Sequence, residues 1–406
     1  MHDEAIRFSE HNNNLIPLLG LSVIFFLILG MLPMIPSPIT QMLRPAEVAL
    51  CLIFPALHYY RITPSGRWMI LYMFYYVMVL LFNPVTKTAV MAWASLELFS
   101  AFFLLMVSRP WSKANIRALL IVAAIASTIF AVIIFRDNPN FLHEKSYDGT
   151  KFMSSTVNDN TAAYSIVPGA LCSVLLFLFY APRKISNLKL LKAFFLVCSA
   201  ICFFLLFCIG ARSAFFSALA GAALIVLEWS NNRRTTGGRV AARIAIILLL
   251  VSLFVVGASI ATGTHSARLF DLDNMTDGNG RDVLAEQAWE MIHKKPVFGG
   301  GFDYWMNENG DPLGTHNAFL THMVQGGYVA VFILAGFLIV SVYELWKSRS
   351  LIPLAFIMEM IAHTFTESDL NYYAYVPLII SFVLVRYAWF NRCRIIDIFA
   401  NNYNFG

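Results

Sequence analysis

The stretch IRALLIVAAIASTIFAVIIF, residues 116–135, carries one charged side chain, Arg117, in an otherwise apolar or small-residue run. A run of about 17–25 such residues crosses the hydrocarbon core of a bilayer as a helix. Reading outward by the same rule gives further spans at 15–33, 45–60, 68–82, 89–107, 162–180, 190–209, 214–227, 240–261, 318–343, 351–365 and 372–387. The expectation is therefore an all-α polytopic membrane protein with about twelve transmembrane helices. Composition agrees: 58% of residues are hydrophobic and only 13% charged, against about 25% charged in soluble domains. So much apolar surface cannot be buried inside a 45.7 kDa globule, and the bilayer becomes its solvent.

The net charge of +5 fits Lys- and Arg-rich cytoplasmic loops better than a nucleic-acid partner. With the N-terminus in the cytoplasm, most Lys and Arg fall on the inner side, including Arg233, Arg234 and Arg239. The short outer turns then hold few cations: Arg44, Lys87 and Arg212. Both termini are expected in the cytoplasm. The run 15–34 contains Pro17 and no small-x-small cleavage site, so it reads as a retained first span. None of the six cysteines falls in an expected outer loop, and no disulfide is implied.

Three regions follow. Residues 1–261 hold nine spans and a smaller outer loop at 136–161. Residues 262–316 form a large polar outer loop, and residues 317–406 hold three spans and a tail. In the large loop, Leu284, Ala288, Met291 and Ile292 recur at helical spacing, with Asn279 as a possible cap and Pro296 as a stop. This predicts a short amphipathic helix outside the membrane. Arg281 falls in its first turn, where the helix dipole disfavours a cation unless an anion is near. A salt bridge to Asp277 or Asp282 would serve equally.

Arg212 lies where two apolar runs almost touch, in Gly210-Ala211-Arg212-Ser213. Gly210 permits a tight turn, and Ser213 is expected to cap the following helix. A guanidinium beside open amides at a helix N-terminus suits a phosphate, although simple snorkelling to the interface would also explain Arg212. His316 is expected at the outer end of the tenth span, level with Arg212. A neutral imidazole there can accept a proton from a hydroxyl, or it can be a hydrogen-bonded structural group. His265, His293, His322 and His363 suit the structural role. Glu359, His363, Glu367 and Asp369 make a smaller polar cluster, in which Glu359 and His363 share a helical face and could pair with each other or with Arg212. No His, Cys, Asp or Glu grouping has metal-site spacing, so neither metal nor other cofactor is expected.

These pieces resemble the bacterial O-antigen ligase and O-antigen polymerase superfamily over roughly residues 158–390. The resemblance rests on the Gly-Ala-Arg-Ser turn at 210–213, on Gly280-Arg281 with Trp289 followed by Pro296-Val297-Phe298-Gly299-Gly300-Gly301, and on His316-Asn317-Ala318-Phe319-Leu320 with Gly326-Gly327. Asn158-Asp159-Asn160-Thr161-Ala162 resembles the Asn-rich stretch before a span in that family. The ligase pattern H-[NSQ]-x9-G-x-x-[GTY] is met by His316, Asn317 and Gly327 but not by Ala330, which leaves ligase and polymerase both open.

The resemblance implies a GT-C-like glycosyltransferase of lipopolysaccharide biosynthesis in the bacterial inner membrane. Its implied partners are membrane lipids, an undecaprenyl-diphosphate-linked glycan donor and, for a ligase, a lipid A–core acceptor. On that reading Arg212, Arg281 and His316 are catalytic, and Arg212, Arg281, Ser213, Asn317 and Asn160 bind diphosphate or glycan. A twelve-span secondary transporter is the alternative of a different class. It would show internal repeats, and none is evident between the two halves of the chain.

Overall fold

A computed structural model describes residues 62–108, 111–142, 150–152, 155–157, 159–182, 187–232, 240, 281–302, 316–367 and 372–399. Ten α-helices are described: α1 (Pro64–Phe82), α2 (Lys87–Ser108), α3 (Lys113–Asp137), α4 (Asp159–Phe179), α5 (Leu188–Ile209), α6 (Arg212–Asn231), α7 (Arg281–Lys294), α8 (Ala318–Trp346), α9 (Leu351–Thr366) and α10 (Tyr372–Phe390). The only described strands form a small antiparallel hairpin, β1 (Thr150–Phe152) with β2 (Ser155–Val157), inside the expected smaller outer loop.

Six helices, α1, α3, α4, α5, α6 and α8, are long and apolar enough to cross a membrane, and α2, α9 and α10 contain shorter apolar helices. Nine expected spans thus coincide with helices, while 15–33, 45–60 and all but the first residue of 240–261 lie outside the described residues. The short helix predicted in the large loop is α7, with Arg281 as its first residue. Asn279, its expected cap, lies outside the described residues, as does most of 262–316.

Helix starts follow side-chain chemistry. Thr63, Ser112, Asn187 and Ser350 accept hydrogen bonds from amides in the first turns of α1, α3, α5 and α9. Two carboxylates reinforce this across the bundle. Glu344 Oε2 accepts from the Ser65 amide at 2.9 Å and Glu228 Oε2 from the Leu351 amide at 3.1 Å. Each sets a negative group at the positive end of a neighbouring helix.

The largest irregularity is in α8, which is broken at Gly327 (φ 69°, ψ −170°). A break in a span leaves backbone groups that lipid cannot satisfy. The segment 296–301 satisfies them. Gly300 N–H donates to Val324 O at 2.8 Å, Gly301 N–H to Gln325 O at 2.9 Å, and Tyr328 N–H to Pro296 O at 2.8 Å. The Tyr75 hydroxyl of α1 lies between the two strands of this clasp, 3.0 Å from Val297 O and 2.5 Å from Gly326 O. The two backbones meet so closely that a Cβ at Gly327 would stand 2.2 Å from Val297 O, and one at Gly299 2.3 Å from the Gln325 carbonyl. Both glycines also have positive φ. The Gly-Gly-Gly run and the Gly326-Gly327 pair, separate motifs in the sequence, are the two sides of one junction.

Inward of the clasp, buried His322 receives Tyr72 and Tyr76 of α1, the Tyr72 hydroxyl lying 3.2 Å from its Nε2. This is the structural role expected for His322, and it ties α8 to α1. Gly327→Ala or Gly299→Ala should destabilise the protein by about 2–4 kcal/mol, from overpacking plus the left-handed backbone. Unfolding in detergent checks this, and wild-type stability in either variant would refute it.

Candidate active site

One end of the bundle gathers the start of α4, the start of α6, the end of α9 and the start of α8. Tyr164, in the second turn of α4, sits at the middle of this end and is fully buried. Its hydroxyl lies 2.8 Å from Thr366 Oγ1, at the end of α9, and near Ser213 in the first turn of α6. Its ring meets that of His363 edge-on, with centroids 4.6 Å apart. A few residues along, Phe365 of α9 packs on Phe319 of α8 at 5.4 Å, which brings the start of α8 to the same place.

Arg212 stands here as the first residue of α6, half-buried. Gly210, left-handed at φ 71°, ends α5, and Ala211 alone separates it from α6. That is the tight turn the sequence suggests. The expected cap is not formed: Ala211 occupies the cap position and no side chain caps α6. Ser213 falls two positions too late for that role, inside the helix. The start of α6 therefore presents a guanidinium beside first-turn amides that its cap residue does not bond through a side chain, an arrangement suited to an anion.

Asn160, placed by the sequence just before a span, is the second residue of α4 and half-buried at the same end. His316 immediately precedes the cap of α8, half-buried and with a left-handed backbone (φ 51°). Asn317 is that cap, its Oδ1 accepting from the Leu320 amide at 3.2 Å. Its carboxamide oxygen thus has a structural duty that the sequence did not assign to it. Arg212, Ser213, Asn160, His316 and Asn317 are brought to one end of the bundle. Arg281 begins α7, at the end of that helix away from the clasp, and its side chain lies outside the described residues.

The helix α7 lies on the first segment of α8 through a small separate core, in which Ala288, Ile292 and Val324 are buried with Leu284, Met291, Leu320 and Met323 around them. The exposed His293 bonds its own helix at Trp289 O, 2.7 Å away, which is a local structural role. His265 and Asp369 lie outside the described residues. The expected Glu359–His363 pair does not form. Both residues are buried on α9, yet neither Glu359 oxygen has a hydrogen-bond partner among the described residues.

Two residues central to this end, Tyr164 and Thr366, were missed from the sequence. A tyrosine buried at membrane depth needs a hydroxyl partner, but nothing in a single sequence says which helix supplies it. Among the described residues no group of three or more His, Cys, Asp or Glu side chains is placed to hold a metal ion.

Fold and site together define a polytopic membrane protein with a polar, cationic end built around a helix start. Residues 194–335 match the family model described as O-antigen ligase. The match supports the O-antigen ligase superfamily, and with it a glycosyltransferase-like enzyme of ligase or polymerase type acting on lipid-linked glycans. It spans Arg212, Ser213, Arg281, His316 and Asn317, whereas Asn160, Tyr164 and Thr366 lie outside it. No curated protein matches the chain.

Asn317→Ala should cost about 1 kcal/mol of stability through loss of the cap, and Asn317→Asp should keep it. Thermal unfolding of both variants in detergent decides this, since equal loss in the two would refute the capping role.

Proposed function

We propose that this protein transfers O-antigen polysaccharide from undecaprenyl diphosphate to the lipid A–core oligosaccharide, at the periplasmic face of the bacterial inner membrane. Carrying the proposal is the position of Arg212: a cation on an uncapped helix start, at the bundle end that also holds His316, inside the O-antigen ligase match. The polar end faces the periplasm in this reading and both termini are cytoplasmic, as the distribution of Lys and Arg suggests.

The chemistry assigned to the site is a direct displacement. The neutral His316 imidazole takes the proton of the acceptor hydroxyl, whose oxygen attacks the anomeric carbon of the donor sugar. The bond from that carbon to the diphosphate oxygen breaks, and undecaprenyl diphosphate departs with the electron pair. Arg212 and Arg281 hold the diphosphate and stabilise the charge that grows on it. Attack opposite the leaving group inverts the anomeric centre. Two guanidinium groups would take the place of a divalent cation, so the transfer is assigned as metal-independent. Asn160 and Ser213 line the same end and are assigned to substrate.

A polymerase, extending the carrier-linked glycan itself, is the second reading, favoured by Ala330 where ligases carry Gly, Thr or Tyr. A deletion strain separates them. Loss of a ligase leaves unsubstituted core and accumulated carrier-linked polymer, while loss of a polymerase leaves core capped with one repeat unit. The family match favours either enzyme over the transporter.

Arg212→Ala and His316→Ala should each lower transfer by at least about a hundredfold while the protein still inserts. Purified protein, carrier-linked glycan and lipid A–core test this, with and without chelator. Full activity in either variant would sink the mechanism, and loss of wild-type activity on chelation would sink its metal independence.

A further inference from the structure

The segment 295–301 can be placed in depth against the end of α1. Lys295 Nζ lies 3.4 Å from Oδ1 of Asn83, the residue that caps the end of α1. Three residues on, Phe298 stacks on Tyr75 with centroids 6.4 Å apart and packs on Phe82 at 5.5 Å. Tyr75 and Phe82 are two turns apart on a helix long and apolar enough to cross a membrane. Phe298 therefore lies along the last two turns of that span, about 10 Å of rise. At Gly301 the chain is back at Asn83, where a Cβ would stand 2.7 Å from the Asn83 Cβ. The segment leaves the end of α1, dips beside it and returns.

The outward side of the dip is sorted by polarity. His293 to Phe298 are exposed without a break, His293-Lys294-Lys295 at the rim and Pro296-Val297-Phe298 below it. Val297, Phe298 and the adjoining Phe82 keep roughly half or more of their surface open. The carbonyls of Pro296 and Val297 are taken up by Tyr328 N–H and the Tyr75 hydroxyl, so the segment can face lipid without stranding them. The acidic residues of α7, Asp282, Glu286 and Glu290, all come before this stretch, and Lys87, four residues after Asn83, adds another cation at the start of α2. Apolar side chains beside a span with cations directly above them match the two parts of an anionic phospholipid.

We propose that this corner is a binding site for an anionic phospholipid, its phosphate against Lys294 and Lys295 and its acyl chains over Val297, Phe298 and Phe82. A lipid held there pins the last turn of α7, the helix whose first residue is Arg281. Neither Arg212 nor His316 takes part, and the site does not depend on the proposed glycan transfer.

The test lets phosphatidylglycerol and phosphatidylcholine with identical acyl chains compete for the full-length protein in detergent, with retained lipid read by native mass spectrometry. Wild type should retain phosphatidylglycerol in preference. Lys294→Gln and Lys295→Gln should each cut that preference about fivefold, and the double Lys→Arg variant should keep it. Equal retention of the two lipids by wild type, or an unchanged preference in the double Lys→Gln variant, would overturn the proposal. A phospholipid with a diazirine in its acyl chain should label Val297 or Phe298 on irradiation. Labelling of α1 without labelling of 296–298 would overturn the placement of the acyl chains. Undecaprenyl diphosphate should bind the double Lys→Gln variant as it binds wild type. A parallel loss would assign the corner to the glycan carrier and overturn the phospholipid site.

Discussion

A backbone amide or carbonyl in lipid has no water to turn to, and the described architecture is organised around a place where that rule is strained. At Gly327 the helix α8 breaks, and the polar groups released are taken up by a second piece of chain, residues 296–301, approaching backbone to backbone. Only glycine permits that approach on either side. Because the clasp holds, the segment that begins at His316 can depart from the line of the span below it. Because Tyr75 joins the clasp and Tyr72 and Tyr76 hold His322, α1 fixes where that departure occurs.

At the opposite side of the same bundle end, hydroxyl groups replace backbone groups as the connecting element. Tyr164 links α4 and α9 within two turns of their ends, beside the start of α6, which its own turn at Gly210 also sets. The close contact of Gly221 with the Ala355 carbonyl, where a Cβ would stand 2.8 Å away, keeps α6 and α9 tight further along. Arg212 is thereby held on a well-braced helix start, as the proposed contact with a diphosphate requires.

Much of this was legible in the sequence, and the reasons are specific. Hydropathy over about twenty residues marked the spans, since lipid imposes one simple demand on length and polarity. The amphipathic spacing of Leu284, Ala288, Met291 and Ile292 marked α7, and its buried face is the one expected. What failed depended on partners distant in the chain. Ser213 looked like a cap because caps are local, yet α6 began two residues sooner, after the tight turn at Gly210. Glu359 and His363 looked like a pair because they are one turn apart, but sharing a face did not make them bond. The glycines at 299–301 and 326–327 were visible as two motifs, and only the fold shows that each exists for the other.

The first segment of α8 has a double allegiance. Ala318 and Phe319 belong to the large apolar core of the bundle, while Leu320, Met323 and Val324 belong to the small core beneath α7. The two cores are separate, so changes that repack the smaller one can re-aim His316 and α7 while the membrane-embedded scaffold stays intact. Variation can accumulate there without putting the packing of the larger core at risk. In this chain the capacity to reposition the α7 segment is housed apart from the capacity to fold.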